Sequence, residues 1–247
     1  RPVGQAIVSH LFEPQQPTRI PVVGIMGRTR TTDLAHLVNW LIHLSGRRTG
    51  LASARGLYMN QRLVDAKDAR VFEASQRLLI NRALDAAVFE NTPLQVLDEG
   101  LPYDRCLVGV LTDMPDHTGL QDHDVQTPEQ VRQVVRTQID LVLPEGVAVL
   151  NAEDPALVDL ADLCDGEVIY HAHDANHPTI VSHLAQQGRA VVRQQNQVLL
   201  LNGPHSQALL DLDFPAIAKQ LNDGVIHPDN LLAAVAVAWA LALSPYL

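Results

Sequence analysis

Lysine is almost missing from this chain of 247 residues: Lys67 and Lys219 stand alone, and every other side-chain cation is Arg. Acidic residues outnumber basic ones, 28 to 18, and leave a formal net charge of −10. A surface of that sign does not displace the counterions of nucleic acid or of an anionic bilayer, so neither is an expected partner. Cysteine is scarce as well. Cys106 and Cys164 lie far apart, in strand-like and helix-end contexts, with no second Cys or His at metal-ligand spacing. They read as buried thiols in a reducing cytoplasm. Long hydrophobic runs are lacking: the longest, residues 231–243, is too short to span a bilayer, and the first residues lack the apolar core of a signal peptide. The expected location is therefore cytoplasmic. An initiator Met is missing too, so the chain is expected to be either processed or, in preference, a segment of a longer polypeptide.

What is present is an ordinary globular mixture, 47% hydrophobic and 19% charged, enough for one large domain or two small ones. Residues 2–12 can form a short amphipathic helix that Glu13-Pro14-Gln15-Gln16-Pro17-Thr18 ends. Residues 1–18 thus read as a linker and entry helix, and 19–247 as the domain. The run 20–26 suits a strand buried on both faces, with a turn and a helical pattern from about 32 to 44 behind it. Further buried strands are expected at 86–90, 106–112 and 147–151, with helices at about 69–83 and 128–143. Strands alternating with helices imply an α/β fold, a mostly parallel sheet flanked by helices on both faces. The last third continues with a strand at 167–171 and a helix at 178–187. Strands at 189–193 and 197–201, turning at Gln195-Asn196, make a small antiparallel addition. A closing helix at 228–243 opens on Pro228. Trp40 and Trp239 fall on apolar helical faces and read as core, and Thr127 or its neighbour as the cap of the helix that follows.

The first strand leads into Gly24-Ile25-Met26-Gly27-Arg28-Thr29-Arg30-Thr31-Thr32. A phosphate-binding loop needs glycines so that backbone N–H groups can approach phosphate, a Lys for the outer phosphates, and a Ser or Thr for Mg²⁺. The position is right and the chemistry is wrong. Counted from Gly27 without a gap, Arg30 stands at the second glycine and Thr31 at the lysine. With one deletion Arg30 stands at the lysine and the glycine is gone. Either way a side chain fills phosphate space and penalises any positive φ the turn requires, and the planar fork of Arg is not a substitute for Lys.

Arg1-Pro2-Val3-Gly4-Gln5-Ala6-Ile7-Val8, Arg19-Ile20-Pro21-Val22-Val23-Gly24, Gly100-Leu101-Pro102-Tyr103-Asp104-Arg105-Cys106, Asp116-His117-Thr118-Gly119 and Val149-Leu150-Asn151-Ala152-Glu153-Asp154-Pro155 carry a wider likeness. In that order, over most of the chain, they resemble the Mur-ligase-like region of the cyanophycin synthetase family. The resemblance implies the central-domain fold of P-loop and Mur type. Active relatives polymerise aspartate and arginine with ATP and Mg²⁺, using an ATP-grasp domain and a Mur-like domain. It also exposes departures. The family's Gly-Thr-Asn-Gly-Lys-Thr is lost at the loop, and its Glu-Thr-Ala-Arg-Gly-Gly becomes Glu90-Asn91-Thr92-Pro93-Leu94-Gln95, leaving only the glutamate. The Asn four residues before Asp116-His117 becomes Thr112. Asn151 and Asp154 match positions near the nucleotide base, and Asn230 matches one Asn of the closing helix. The further C-terminal Mur lobe is expected to be absent. The likeness is to the second type of the family, whose Mur-like region is degenerate and whose ATP-grasp domain joins β-aspartyl-arginine dipeptides.

The expectation is therefore a non-catalytic domain with no cofactor of its own and no metal. Gly24, Gly27, Arg30, Thr31, Thr32, Asn151, Asp154 and Asn230 are read as a vestigial nucleotide site, and Glu90 and His117 as vestigial metal-facing residues. Its partners would be further copies and an adjacent ATP-grasp domain, with cyanophycin as a third candidate. The competing readings are an active amide-forming ligase with Arg30 in place of Lys, and a module that binds cyanophycin unchanged. His171, His173 and His177 read as a solvated loop, since no second cluster completes a zinc tetrahedron. With a lobe missing, some of the closing helix is expected to lie open, with Leu232, Val235, Trp239 or their neighbours contributing to an interface.

Overall fold

The computed structural model describes residues 19–244, so the expected entry helix within 1–18 lies outside the described residues. In chain order the elements are β1 (Val22–Met26), α1 (Thr31–Leu44), β2 (Thr49–Ser53), β3 (Gly56–Met59), β4 (Arg62–Asp65), α2 (Phe72–Leu79), β5 (Ala86–Glu90), α3 (Pro93–Asp98) and β6 (Cys106–Leu111). There follow α4 (Pro128–Val135), α5 (Thr137–Asp140), β7 (Val142–Asn151), α6 (Pro155–Val158), β8 (Glu167–Ala172), α7 (Pro178–Ala185), β9 (Arg189–Gln194), β10 (Gln197–Asn202), β11 (His205–Asp211), α8 (Pro215–Asn222) and α9 (Pro228–Ala240).

Among the described residues the strands form one sheet in the order β11-β10-β9-β8-β7-β6-β1-β5-β2-β3-β4. From β2 through β5, β1, β6, β7 and β8 to β9 every neighbour is parallel. Both flanks are antiparallel, β3-β4 on one side and β10-β11 on the other. The expected α/β sheet is present, and its antiparallel part is larger than the two strands read at 189–201.

Alternation along β1 divides the core. Val23 and Ile25 face Leu34, Ala35, Val38 and Ile42 of α1, together with α9, on one side of the sheet. Met26 and Val22 face the other side, where α4, α5 and α2 pack. All of β1 is buried, as a central parallel strand must be when helices cover both faces. Thr127 and Gln130 form a reciprocal capping box that starts α4 where expected.

Two packing expectations are corrected. Leu232 and Val235 are buried against the sheet, not open, because α9 lies over β6, β7, β8 and β9 beside α1. Trp40, expected in the core, is 49% exposed on the outer side of α1. Trp239 is half-buried, with the Arg189 guanidinium 4.7 Å above its ring. The thiols also differ: Cys106 is buried, its pKa pushed up to about 12 by desolvation, whereas Cys164 is only half-buried.

Candidate functional site

The C-terminal ends of β5, β1 and β6 lie side by side at the centre of the sheet, where open α/β folds place their ligands. The loop from Gly27 to Arg30 leaves β1 at this edge and enters α1. Arg30, the N-cap, has φ 56 and ψ 15, left-handed backbone, and no side chain caps the helix there. The turn demands the positive φ that a glycine would adopt freely, and Arg30 adopts it at a steric cost of about 1–2 kcal/mol.

Glu90 ends β5 on the α1 side and is 1% exposed. Its Oε1 accepts hydrogen bonds from the hydroxyls of Thr31 and Thr32, each at 2.9 Å, and lies 3.5 Å from Arg70 Nη1. Its Oε2 accepts the backbone N–H of Ala54 at 2.8 Å. Both oxygens are thus held by groups of the chain, which offsets the cost of burying a carboxylate. His117 does not join it; it sits exposed on the turn beyond β6 and makes no hydrogen bond to Glu90.

On the other side of the loop stands Asp113, directly after β6 and Thr112. Its Oδ1 accepts the backbone N–H groups of Arg28 at 2.9 Å and Thr29 at 3.3 Å, and the Thr112 hydroxyl at 2.8 Å. Its Oδ2 accepts the Thr29 hydroxyl at 3.0 Å and lies 3.7 Å from Arg28 Nε. Gly27 makes this approach available: a Cβ there would lie 2.0 Å from Thr112 Oγ1 and 2.7 Å from Asp113 Oδ1. Gly24 has a different task. A Cβ on it would strike the Tyr103 hydroxyl at 2.0 Å, within a buried trio in which Asn91 Nδ2 donates to Tyr103 and to Gln138.

The remaining residues of the expected site hold backbone. Asn151 Nδ2 donates to the Thr112 carbonyl at 3.3 Å. Asp154 accepts the N–H of Met114 at 2.9 Å with one oxygen and caps α6 through Ala156 with the other. Asn230, 4% exposed in the first turn of α9, donates to the Arg30 carbonyl. Sequence reasoning did not single out Asp113, Arg70 or the Ala54 amide. Their roles depend on which strands become neighbours, and β6 meets β1 only through a crossover.

The histidines are not gathered as a metal cluster. His171 is buried at the end of β8, and burial lowers its pKa to about 4. His173 pairs with Asp229 of α9, whose carboxylate also faces His227. His177 stands at the start of α7. Among the described residues no group of three or more His, Cys, Asp or Glu could hold a metal ion, and no helix is long and apolar enough to cross a membrane.

At this edge the Arg28 and Thr29 amides and both Glu90 oxygens have partners within the chain, and Arg30 stands at the left-handed position of the loop.

No family model matches the chain. It is 31% identical over 204 residues to the cyanophycin synthetase of Synechocystis sp. and 30% identical over 204 residues to that of Crocosphaera subtropica, in each case over 82% of this chain and 23% of the relative. The chain therefore spans about a quarter of the length of the curated relatives it matches. Among solved structures, a UDP-N-acetylmuramoyl-L-alanyl-D-glutamate–2,6-diaminopimelate ligase superposes with a TM-score of 0.66 at 12% identity, covering 98% of this chain and 47% of that one. Escherichia coli FolC in complex with DHPP and ADP gives 0.58 at 11% identity, covering 98% and 62%. These two likenesses bear on the fold alone.

Proposed function

We propose that this chain, similar over 82% of its length to cyanophycin synthetases and folded like the Mur ligases, is a retired ligase domain, kept for its fold and contacts. The observation that carries the reading is the state of Glu90. A carboxylate that serves a nucleotide-bound metal needs free lone pairs facing the phosphates. Here Thr31, Thr32, Ala54 and Arg70 engage both oxygens in the protein's interior. Arg30 in left-handed backbone adds to it, since its side chain projects from the position that a loop glycine leaves clear. Asn151, Asp154 and Asn230 support the same reading, each spent on a backbone group.

The domain on this reading has no cofactor of its own. The whole protein would be a cytoplasmic ATP-dependent ligase of cyanophycin synthesis, with an ATP-grasp domain doing the chemistry and this domain making contacts to it or to further copies. Trp40 and Leu44, one helical turn apart on α1 and 49% and 41% exposed, support such a contact better than α9 does.

The test is calorimetry and thermal melting of the chain with MgATP at millimolar concentration. A ligand that binds the native state raises the melting temperature by mass action, and the expected result is no saturable heat and no dose-dependent shift. Saturable binding would overturn the reading. It would favour an active ligase that uses Arg30 as its loop cation, for which the retained Thr31 and Thr32 hydroxyls speak.

A further inference from the structure

We infer that the loop after β1 is still an anion cradle and that its resident anion is the chain's own Asp113 carboxylate. The inference rests on the retired-domain reading and explains how the site is closed: the cradle is occupied, not dismantled.

A carboxylate and a phosphoryl group present the same chemistry to a backbone, namely acceptor-only anionic oxygens. The N–H groups of Arg28 and Thr29 and the Thr29 hydroxyl converge on Asp113 as such groups converge on phosphate in an open loop. Behind them stands α1, a helix of 14 residues whose N-cap supplies no side-chain acceptor, so its positive end also favours an anion at this place. The Asp113 side chain is 23% exposed, so the cradle opens to solvent at the edge where a diffusing anion would arrive.

The rest of the site is arranged to keep this anion in place. Gly27 lacks the Cβ that would collide with Asp113 and Thr112. Thr112 turns its hydroxyl onto Asp113 Oδ1. Asn151 holds the carbonyl of Thr112 and Asp154 holds the amide of Met114, so residues 112 and 114 are fixed on either side of Asp113. Two residues that the family resemblance sets near the nucleotide base here serve the plug. A tethered anion also has an entropic advantage over a free one, because the chain itself holds it at the cradle and no translational freedom is lost on binding.

The experiment is a thermal-melt titration with inorganic pyrophosphate of the wild-type chain, Asp113→Ala and Asp113→Asn. General stabilisation by multivalent anions acts on all three alike, so the quantity read is the difference between variant and wild type at each concentration. Asp113→Ala is expected to gain a saturable rise of about 3 °C or more that wild type lacks. If the alanine variant does not fold, Asp113→Asn decides: it keeps the shape, removes the charge, and is expected to show a smaller gain of the same kind. Variants that respond no more than wild type overturn the inference, as does a wild-type response equal to theirs. MgATP binding by the wild-type chain would instead sink the retired-domain reading, so the two failures are distinguishable.

Discussion

The carbonyl oxygen of Arg30 accepts a hydrogen bond from Asn230 Nδ2 at 3.1 Å, across 200 positions of sequence. It also accepts the amide of Leu34 at 3.1 Å, the first bond of α1. The backbone of Arg30 is therefore held from two directions in its left-handed conformation, whatever its side chain prefers. That side chain is exposed and makes no hydrogen bond or ion pair among the described residues.

Replacing it by glycine removes the steric penalty and no contact. Arg30→Gly is expected to stabilise the chain by about 0.5–1 kcal/mol, the left-handed penalty less the larger backbone entropy of glycine in the unfolded chain. Arg30→Ala keeps the Cβ and is expected to gain nothing. Urea midpoints at unchanged slope check both, and a glycine variant less stable than wild type would refute the assignment of strain.

Glu90 yields a prediction of the opposite sign. Its removal orphans two threonine hydroxyls, an amide and part of the Arg70 charge in the interior. Glu90→Ala is expected to cost about 3 kcal/mol, and Glu90→Gln about 1 kcal/mol, because the amide still offers one acceptor. Denaturation with and without about 10 mM Mg²⁺, enough to saturate a weak site, separates this from a metal role: the wild-type midpoint should not move with the ion.

The fold was legible where apolar runs are continuous. β5 was read at its observed bounds, because Ala86 to Phe89 are apolar and buried on both faces. The hairpin strands β3 and β4 were not read, since Arg62 to Asp65 is an exposed edge with little pattern to detect. The helix expected at 69–83 shrinks to Phe72–Leu79 because Val71 is extended at its N-cap and Ile80 caps its end. The one expected at 128–143 breaks after Val135, and β7 begins at Val142. In the candidate site, loop spacing marks Gly27, Arg30 and Thr31, and the family resemblance marks Glu90. Asp113 is marked by neither, since a carboxylate after a strand looks like any turn residue until the sheet order brings β6 beside β1.

His171 makes stability depend on pH. Burial lowers its pKa from 6.5 to about 4, its Nε2 has no partner, and the charged groups nearest it are Asp229, which opposes the shift, and His173, which adds to it. Between these values the unfolded chain binds the proton and the folded chain does not, so stability is full above about 6.5 and falls as pH drops towards 4. Half-buried His36 and His183, also lowered chiefly by desolvation, act in the same direction. At about pH 5, His171 alone should remove on the order of 2 kcal/mol. His171→Leu is expected to flatten the melting temperature against pH between about 7 and 5, and an unchanged slope would show that the ring is charged or hydrated in the folded state.

The last prediction concerns repair of the loop. Arg30→Gly together with Thr31→Lys restores the glycine and the lysine of an open phosphate loop, and the double variant is expected to remain without ligase activity. Three obstacles survive it. Asp113 still accepts from the amides of Arg28 and Thr29, so phosphate must displace a tethered anion. Thr31→Lys removes one hydroxyl from Glu90 and leaves Thr32, Ala54 and Arg70 on its oxygens. Pro93 and Gln95 are buried in α3, where the family resemblance sets an arginine and two glycines, and Thr92 caps that helix through Gln95. A new lysine beside buried Glu90 would instead form an internal ion pair, which closes the site further. The double variant should therefore show no acyl-phosphate formation from ATP and a carboxylate. Adding Asp113→Ala should confer pyrophosphate binding without turnover. Amide formation by the double variant alone would mean that the loop was the sole defect and that the partners of Glu90 and the amides yield to nucleotide.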